Sequence, residues 1–376
     1  MSQVRDLLVS SARTIFETTV TKEVIDGVEG GRFAQRVWEA IDDAGLDLAL
    51  VPEDRGGAGI SFADAAAILR VAGAAAAPVP LADSLIARRL LAECGLEADA
   101  GPLALAASDP ARDGPGVGMV RVERGGKGFR LDGELYGVPF ARFATAIVLE
   151  VESSSGTRLA VVPRDRAEID QHTGLAGEPR DRVRFTGAAL EPEWVSDPGA
   201  APSTDRLHCL GAFSRAALMS GALERILEMT VDYARERIQF GRPIGQFQAV
   251  QQELAVLAGE VAAAQTAADA AAVALDRSDP SDELAVAVAK VRVGEAAGRA
   301  AMIAHQVHGA IGFTHEHELH YRTRRLWAWR DEYGSETFWA ERVGAAVLAA
   351  GSAGLWPLLT GTSARIASAR RASTSA

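Results

Sequence analysis

Residues 236–251, Glu-Arg-Ile-Gln-Phe-Gly-Arg-Pro-Ile-Gly-Gln-Phe-Gln-Ala-Val-Gln, constrain the architecture more than any other stretch of this chain. Upstream, Leu223, Ile226, Leu227 and Val231 recur at helical spacing, and Gly241 and Pro243 then stop that helix. A second apolar helix starts near Phe247. Residues 236–251 are therefore a reversal between two long helices, consistent with a helical bundle. Arg237, Gln239 and Phe240 fall at the reversal, where a guanidinium can pair with a phosphate and an aromatic ring can border a flat ring system. An ordinary helix connection with a surface arginine accounts for the same spacing.

A second segment, Gln306-Val307-His308-Gly309-Ala310-Ile311-Gly312-Phe313-Thr314, ends an alanine-rich helical run. Gly309 and Gly312 let backbone amides approach a ligand with no Cβ in the way, although a helix C-cap followed by a turn reads the same. The two segments lie about seventy residues apart, in this order. Together they resemble the acyl-CoA dehydrogenase family, whose flavin-contacting turn commonly reads Arg-x-x-Phe-Gly-x-x-(Ile/Leu)-x-x-(Phe/His)-Gln. Gly45-Leu46 and Val51-Pro52-Glu53-Asp54-Arg55-Gly56-Gly57-Ala58-Gly59 look like that family's first-domain signature, so the resemblance spans most of the chain.

The resemblance implies FAD held between subunits, by Arg237, Gln239, Phe240 and Gln248 of one chain and Gln306, Gly309 and Gly312 of another, with Ser335 also at the flavin. It places Tyr136-Gly137-Val138-Pro139-Phe140-Ala141 on the flavin-facing strand. The family's Thr-Glu-Pro-x-x-Gly-Ser-Asp stretch is not recognisable; its nearest counterpart is Ala107-Ser108-Asp109-Pro110. Further implications are an acyl-CoA substrate, an electron-transfer flavoprotein or similar acceptor, and a homo-oligomer or a paralogous partner subunit.

Organisation along the chain fits a mainly α protein with a small β domain. Residues 1–112 read as an N-terminal helical domain, 113–202 as a middle β-barrel-like domain, 203–362 as a C-terminal four-helix bundle and 363–376 as a flexible tail. Turn formers at 108–116 mark a linker, and the bundle pattern breaks at 278–281. Short β-rich runs occur at 118–123, 128–136, 144–151, 158–163 and 182–186.

The family's reaction removes an α-proton with a carboxylate while the β-hydrogen leaves as hydride to the flavin. Such a base belongs in a water-excluding pocket that raises its pKa. In the main branch it directly precedes a glycine. Counted without gaps from Gly312-Phe313, Tyr333 occupies that place, Gly334-Ser335 stand for the family's Gly-Thr, and Glu332 is one residue early. A minority of the family carries its base on the helix entering the bundle; that place holds Gly211-Ala212, and 206–223 contains no Asp or Glu. Three readings stand: Glu332 as the base through a one-residue bulge, Glu336 reaching in from the next turn, or a subunit with no base. Solvated charges, or ion pairs with Arg330 or Arg342, are the plain alternative for both glutamates. Tyr333, with an ordinary pKa near 10, is a poor base at neutral pH and suits a pocket wall.

Charge and composition remove other classes. A formal charge of −11 disfavours nucleic acid, so Tyr321–Arg325 with Trp327 and Trp329 reads as a helix burying its tryptophans. An anionic thioester would need local cations such as Arg237 or Arg242. Cys94 and Cys209 alone make no disulfide framework or cysteine metal site. His305, His308, His315, His317 and His320 cluster without a His-Glu-x-x-His helix motif, so no metal is assigned. Arg124–Phe129 lacks the Ser/Thr of a phosphate loop and reads as a hairpin turn. Arg5, Arg13 and Glu17 interrupt any leader-like run, and Leu254–Leu275 carries Glu260 and Asp269, so a cytoplasmic protein without a membrane span is expected.

The leading expectation is thus a FAD-dependent acyl-CoA dehydrogenase that desaturates an acyl-CoA thioester, with Glu332 as its base. Two rivals accompany it: a non-catalytic flavin-site subunit of a hetero-oligomeric acyl-CoA dehydrogenase, and a CoA-ester-binding flavoprotein with a different reaction, such as elimination without net oxidation.

Overall fold

A computed structural model describes residues 3–107, 120–201, 203–277 and 282–359. The linker at 108–116, the break at 278–281 and the tail at 363–376 lie outside the described residues. Five helices come first: α1 (Gln3–Thr19), α2 (Lys22–Glu29), α3 (Gln35–Asp43), α4 (Phe62–Ala75) and α5 (Leu81–Cys94). Two of their ends show how the sequence places them. Ser61 Oγ accepts from Asp64 N, the N-cap arrangement that satisfies one free donor of the first turn of α4. Gly95, at φ 70°, ends α5 in the left-handed region.

The middle of the chain forms one sheet from β1 (Leu103–Ala106), β2 (Val120–Gly125), β3 (Gly128–Pro139), β4 (Ala146–Ser153), β5 (Gly156–Pro163), β6 (Glu168–Asp170) and β7 (Arg180–Leu190). β4 pairs antiparallel with β5 along its length, parallel with β1 at its start and with β2 near its end; β3 then joins β2 to β7, and β7 to β6. The sheet therefore begins at Leu103, upstream of the boundary that the turn formers at 108–116 suggest. Its inward residues, among them Leu131, Ile147, Leu149, Val162 and Phe185, form a separate core.

The remainder is helical: α6 (Thr204–Glu236), a short hairpin of β8 (Ile238–Gln239) and β9 (Arg242–Pro243), α7 (Gln248–Asp276), α8 (Asp282–His308), α9 (Leu319–Asp331) and α10 (Glu336–Leu359). α6, α7 and α8 pack on one another, α9 lies on α6 and α8, and α10 lies on α8. Alanines such as Ala264, Ala271, Ala289, Ala296 and Ala300 line the seams and permit close approach. Glu260 of α7 ties this pair together by bonding Arg292 and Arg299 of α8.

Glycine fixes how the N-terminal helices meet the bundle. A Cβ at Gly73 of α4 would fall 1.9 Å from Leu218 O of α6, and one at Gly221 would fall 1.9 Å from Arg70 O. The two helices thus touch backbone to backbone. Asp276 at the end of α7 accepts from Phe62 N at 2.6 Å and Ala63 N at 3.1 Å, capping α4 from the bundle. No described helix is long and apolar enough to cross a membrane.

Candidate functional site

The sheet, α5, α6 and α9 converge on the turn between α9 and α10. α9 ends with Glu332 extended, and Tyr333 (φ 55°) and Gly334 (φ 94°) then adopt left-handed backbone, which is uncommon for tyrosine. Buried side chains hold the turn's carbonyls. Lys290 Nζ of α8 donates to Trp329 O at 3.0 Å, Arg330 O at 3.0 Å and Glu332 O at 2.9 Å, and Trp339 Nε1 donates to Tyr333 O at 2.8 Å.

Above this turn runs a buried chain of charges. Glu332 Oε1 accepts from Arg180 Nε at 2.8 Å and Nη2 at 2.5 Å, while Oε2 accepts from Arg215 Nε at 2.5 Å. Arg215 also reaches Asp83 Oδ1 of α5 at 2.8 Å. Arg180 of β7 meets Glu178 at 3.2 Å, and Glu178 receives Arg325 of α9 at 2.9 Å. Three carboxylates and three guanidinium groups alternate, joining the N-terminal helices, the sheet and the bundle. Burial alone would raise the Glu332 carboxyl, but Arg180 and Arg215 hold it down at about 2. Burial raises Asp83, with Arg215 opposing.

Tyr333 is the residue that the sequence count sets at the expected base position. Its ring lies against α6 so closely that a Cβ at Gly211 would fall 2.2 Å from Tyr333 Cδ1. Its hydroxyl has two acceptors within reach of its single proton, Asp83 Oδ1 at 3.2 Å and Leu105 O at 3.3 Å, and the Arg215 guanidinium stands 5.1 Å from the ring centre. Burial, and then the Asp83 charge, push its pKa well above 10. One ring therefore fills both candidate base positions, 333 and 211.

Beside the turn a cavity of about 310 Å³ opens between sheet and bundle, lined by Leu105, Tyr136–Pro139, Ala176, His208, Trp327 and the Glu332–Tyr333 edge. Two residues of β3, Tyr136 and Gly137, oppose one residue of β7, because the register passes from Leu135↔Val183 to Val138↔Asp181. That bulge takes backbone groups off the ladder at the cavity edge.

The flavin-turn residues lie elsewhere. Arg237, Gln239, Phe240 and Gln248 are exposed on the β8–β9 hairpin and the first turn of α7; Phe240 is 92 % exposed at φ 52°. Gln306 and Gly309 line a second cavity of about 450 Å³ with Met302, Phe313 and Trp327. Tyr233 near the end of α6 stacks on His308 at the end of α8, ring centres 4.6 Å apart, so both segments leave the bundle at one end. Trp327 borders both cavities. Gly309 (φ 63°) has open space where a Cβ would stand, whereas Gly312 is buried and makes room for His308 and His305. Ser335 precedes α10, its carbonyl accepting from Trp339 N at 3.1 Å, and it lines neither cavity.

Family models describe both ends of the chain: the acyl-CoA dehydrogenase N-terminal domain matches residues 2–99 and the C-terminal domain residues 209–354. Acyl-CoA dehydrogenase IpdE2 of Mycobacterium tuberculosis is 32% identical over 294 residues, 78% of this chain and 80% of that protein. The chain belongs to the acyl-CoA dehydrogenase family. Acyl-CoA dehydrogenase FadE27 of the same organism is 32% identical over 310 residues, covering 77% of this chain and 82% of the relative. Among solved structures, the ChsE4-ChsE5 complex from Mycobacterium tuberculosis superposes with a TM-score of 0.83 at 26% identity, covering 93% of this chain and 98% of that one.

The cofactor of this acyl-CoA dehydrogenase family is FAD, and the residues present fit it. The bulged strand offers free backbone groups beside an apolar slot, and Gly309 leaves its backbone open to a ligand. Arg237 and Arg242 are exposed cations on the hairpin side of the bundle, and a guanidinium suits a phosphate.

Glu332 departs from the role expected of it. The sequence position is at the site, but both oxygens are occupied by guanidinium groups and the pKa lies far below neutrality, which makes a poor proton acceptor. The expected pairing with Arg330 forms for Glu336, at 2.7 Å, committing that second carboxylate, whereas Glu332 pairs with Arg180 and Arg215 instead. Sequence reasoning missed Asp83, Arg180, Arg215 and Lys290. The available signal was a charge on an apolar helix face: Lys290 among Val286, Ala287, Val293 and Gly294, and Arg215 among Ala212, Ala216, Leu218 and Met219. Among the described residues, no group of three or more His, Cys, Asp or Glu is placed to hold a metal. Ring stacking accounts for several of the clustered histidines, with His305 on Phe313 at 4.5 Å and His308 on Tyr233.

Proposed function

We propose that this chain is a flavin-site subunit of an acyl-CoA dehydrogenase in which a second, different chain supplies the carboxylate that takes the α-proton. The observation behind this reading is the double ion pair on Glu332. A carboxylate that gives three of its lone-pair sites to two arginines loses that ion pairing when it accepts a proton, and the arginines would then stand in a largely buried site short of one anion. Tyr333 over Gly211 blocks the other two places from which a base could come.

FAD, when bound, supplies the hydride acceptor. This chain's own part is shape and charge: Leu105, Val138, Pro139 and Ala176 offer an apolar wall for an acyl chain, and Tyr333 closes the floor. Arg237, Gln239, Phe240 and Gln248, with Gln306 and Gly309 at the same bundle end, form the surface offered to the cofactor. The two-chain composition of the ChsE4-ChsE5 complex supports an assembly of unlike subunits. An electron-transfer flavoprotein or similar acceptor would then reoxidise the assembly. In an anaerobic titration the chain alone should leave flavin absorbance unchanged on addition of acyl-CoA, and should bleach once a carboxylate-bearing paralogue is added. Stoichiometric bleaching by the chain alone would return Glu332, or another group of this chain, to the role of base.

A further inference from the structure

Lys290 is 1 % exposed in the middle of α8, and its side chain crosses to the end of α9. A helix leaves its last carbonyls without intrahelical donors, and a glycine after the last turn commonly helps satisfy them. Here α9 ends on Glu332 in an extended conformation instead. Lys290 replaces the missing cap, its three N–H groups each finding one carbonyl, at Trp329, Arg330 and Glu332. The next carbonyl, Tyr333 O, goes to Trp339 Nε1. These four bonds bracket the place where Tyr333 and Gly334 take left-handed backbone, a conformation that persists in a tyrosine only when its surroundings impose it.

We infer that Lys290 is the positioning residue of this site: its ammonium fixes the 331–335 turn so that the Glu332 side chain is delivered to Arg180 and Arg215 and the Tyr333 ring to the cavity wall. A neutral amine has two N–H donors and a lone pair, so it could serve only two of the three carbonyls and would repel the third. The charge state of Lys290 therefore sets the geometry of the turn. Burial pushes its pKa down to about 7, against the attraction of Glu332. The charged groups facing it are Glu332 and Asp331 from the turn, Arg215 from α6 and Glu336 from α10.

The inference deepens the proposed function, resting on it for what the fixed turn accomplishes but not for the turn itself. Its test uses the whole chain alone, with no acyl-CoA and no second subunit, so either idea can fail without the other. The reporter is the indole N–H of Trp339, identified in a tryptophan-labelled NMR spectrum by its loss in W339F. In the wild type this resonance should move between pH 6 and pH 9. K290R, which keeps its charge, should hold it near the pH 6 position throughout. K290M should show the displaced position at every pH, with exchange of that indole proton at least about tenfold faster, as for a lost hydrogen bond. A Trp339 resonance that titrates in K290M as in the wild type overturns the inference. Should K290M fail to fold, the wild type and K290R decide: identical pH profiles in the two would overturn it as well.

Discussion

Replacing Glu332 by glutamine distinguishes a clamped carboxylate from a catalytic one. Gln keeps the shape and removes the charge that Arg180 and Arg215 share. The Glu332 side chain is 17 % exposed, and its carboxyl is held at about 2 against an ordinary 4.5. That difference corresponds to about 3 kcal/mol of folding stability, in line with the roughly 3–5 kcal/mol typical of breaking a buried pair. Because the folded-state pKa lies below the unfolded one, this contribution is complete above about pH 4.5 and disappears as the pH falls through about 2. Urea unfolding of Glu332→Gln, followed by far-UV circular dichroism, should therefore show a loss of about 3 kcal/mol at pH 7 that narrows below pH 4.5. A general base behaves differently: its removal costs roughly 10²–10⁴ in rate and leaves stability largely alone. Wild-type stability at pH 7 in Glu332→Gln would refute the clamp.

Other consequences are equally direct. Arg237→Ala should purify mostly colourless with unchanged helix content, measured by the flavin-to-protein absorbance ratio and circular dichroism; a stoichiometric yellow protein would remove Arg237 from the cofactor surface. Gly211→Ala puts a methyl 2.2 Å from the Tyr333 ring, so it should cost about 1–3 kcal/mol in urea unfolding, and a neutral result would mean the ring is free to move. Lys290 has a folded pKa lowered to about 7 from 10.5, so its buried charge is a cost at and below pH 7 that is relieved as the pH rises to 10.5. Stability of the wild type should accordingly gain up to roughly 1.4 kcal/mol per pH unit across that window relative to Lys290→Met; parallel curves would contradict it.

Local signals were strong enough to read much of the architecture from sequence. Helical spacing around 236–251 gave the α6–α7 reversal, and β-rich runs between Gly and Ser clusters anticipated β2, β3, β4, β5 and β7. Two strands of the large sheet escaped. Leu103–Ala106 is a four-residue apolar run, buried on both faces, with no alternation to reveal it, and Glu168–Asp170 is too short to show a period. At the site, the sequence singled out Glu332 and Tyr333, and both lie on the turn between α9 and α10. It could not show what Glu332 bonds, because Arg180 lies 152 positions away and Arg215 lies 117 away. Those pairings arise only when sheet and bundle close on each other. Sequence-near Arg330 was the expected partner for either glutamate, and it takes Glu336, leaving Glu332 to the distant arginines.

Proton exchange tests, without any flavin chemistry, whether this chain carries a base for the α-proton. The chain alone is incubated in D₂O with a saturated acyl-CoA, and deuterium at the α-carbon is followed by mass spectrometry. Incorporation should be no faster than in buffer, rising only when a carboxylate-bearing paralogue is added. Rapid incorporation by the chain alone, abolished in Glu332→Gln, would contradict this.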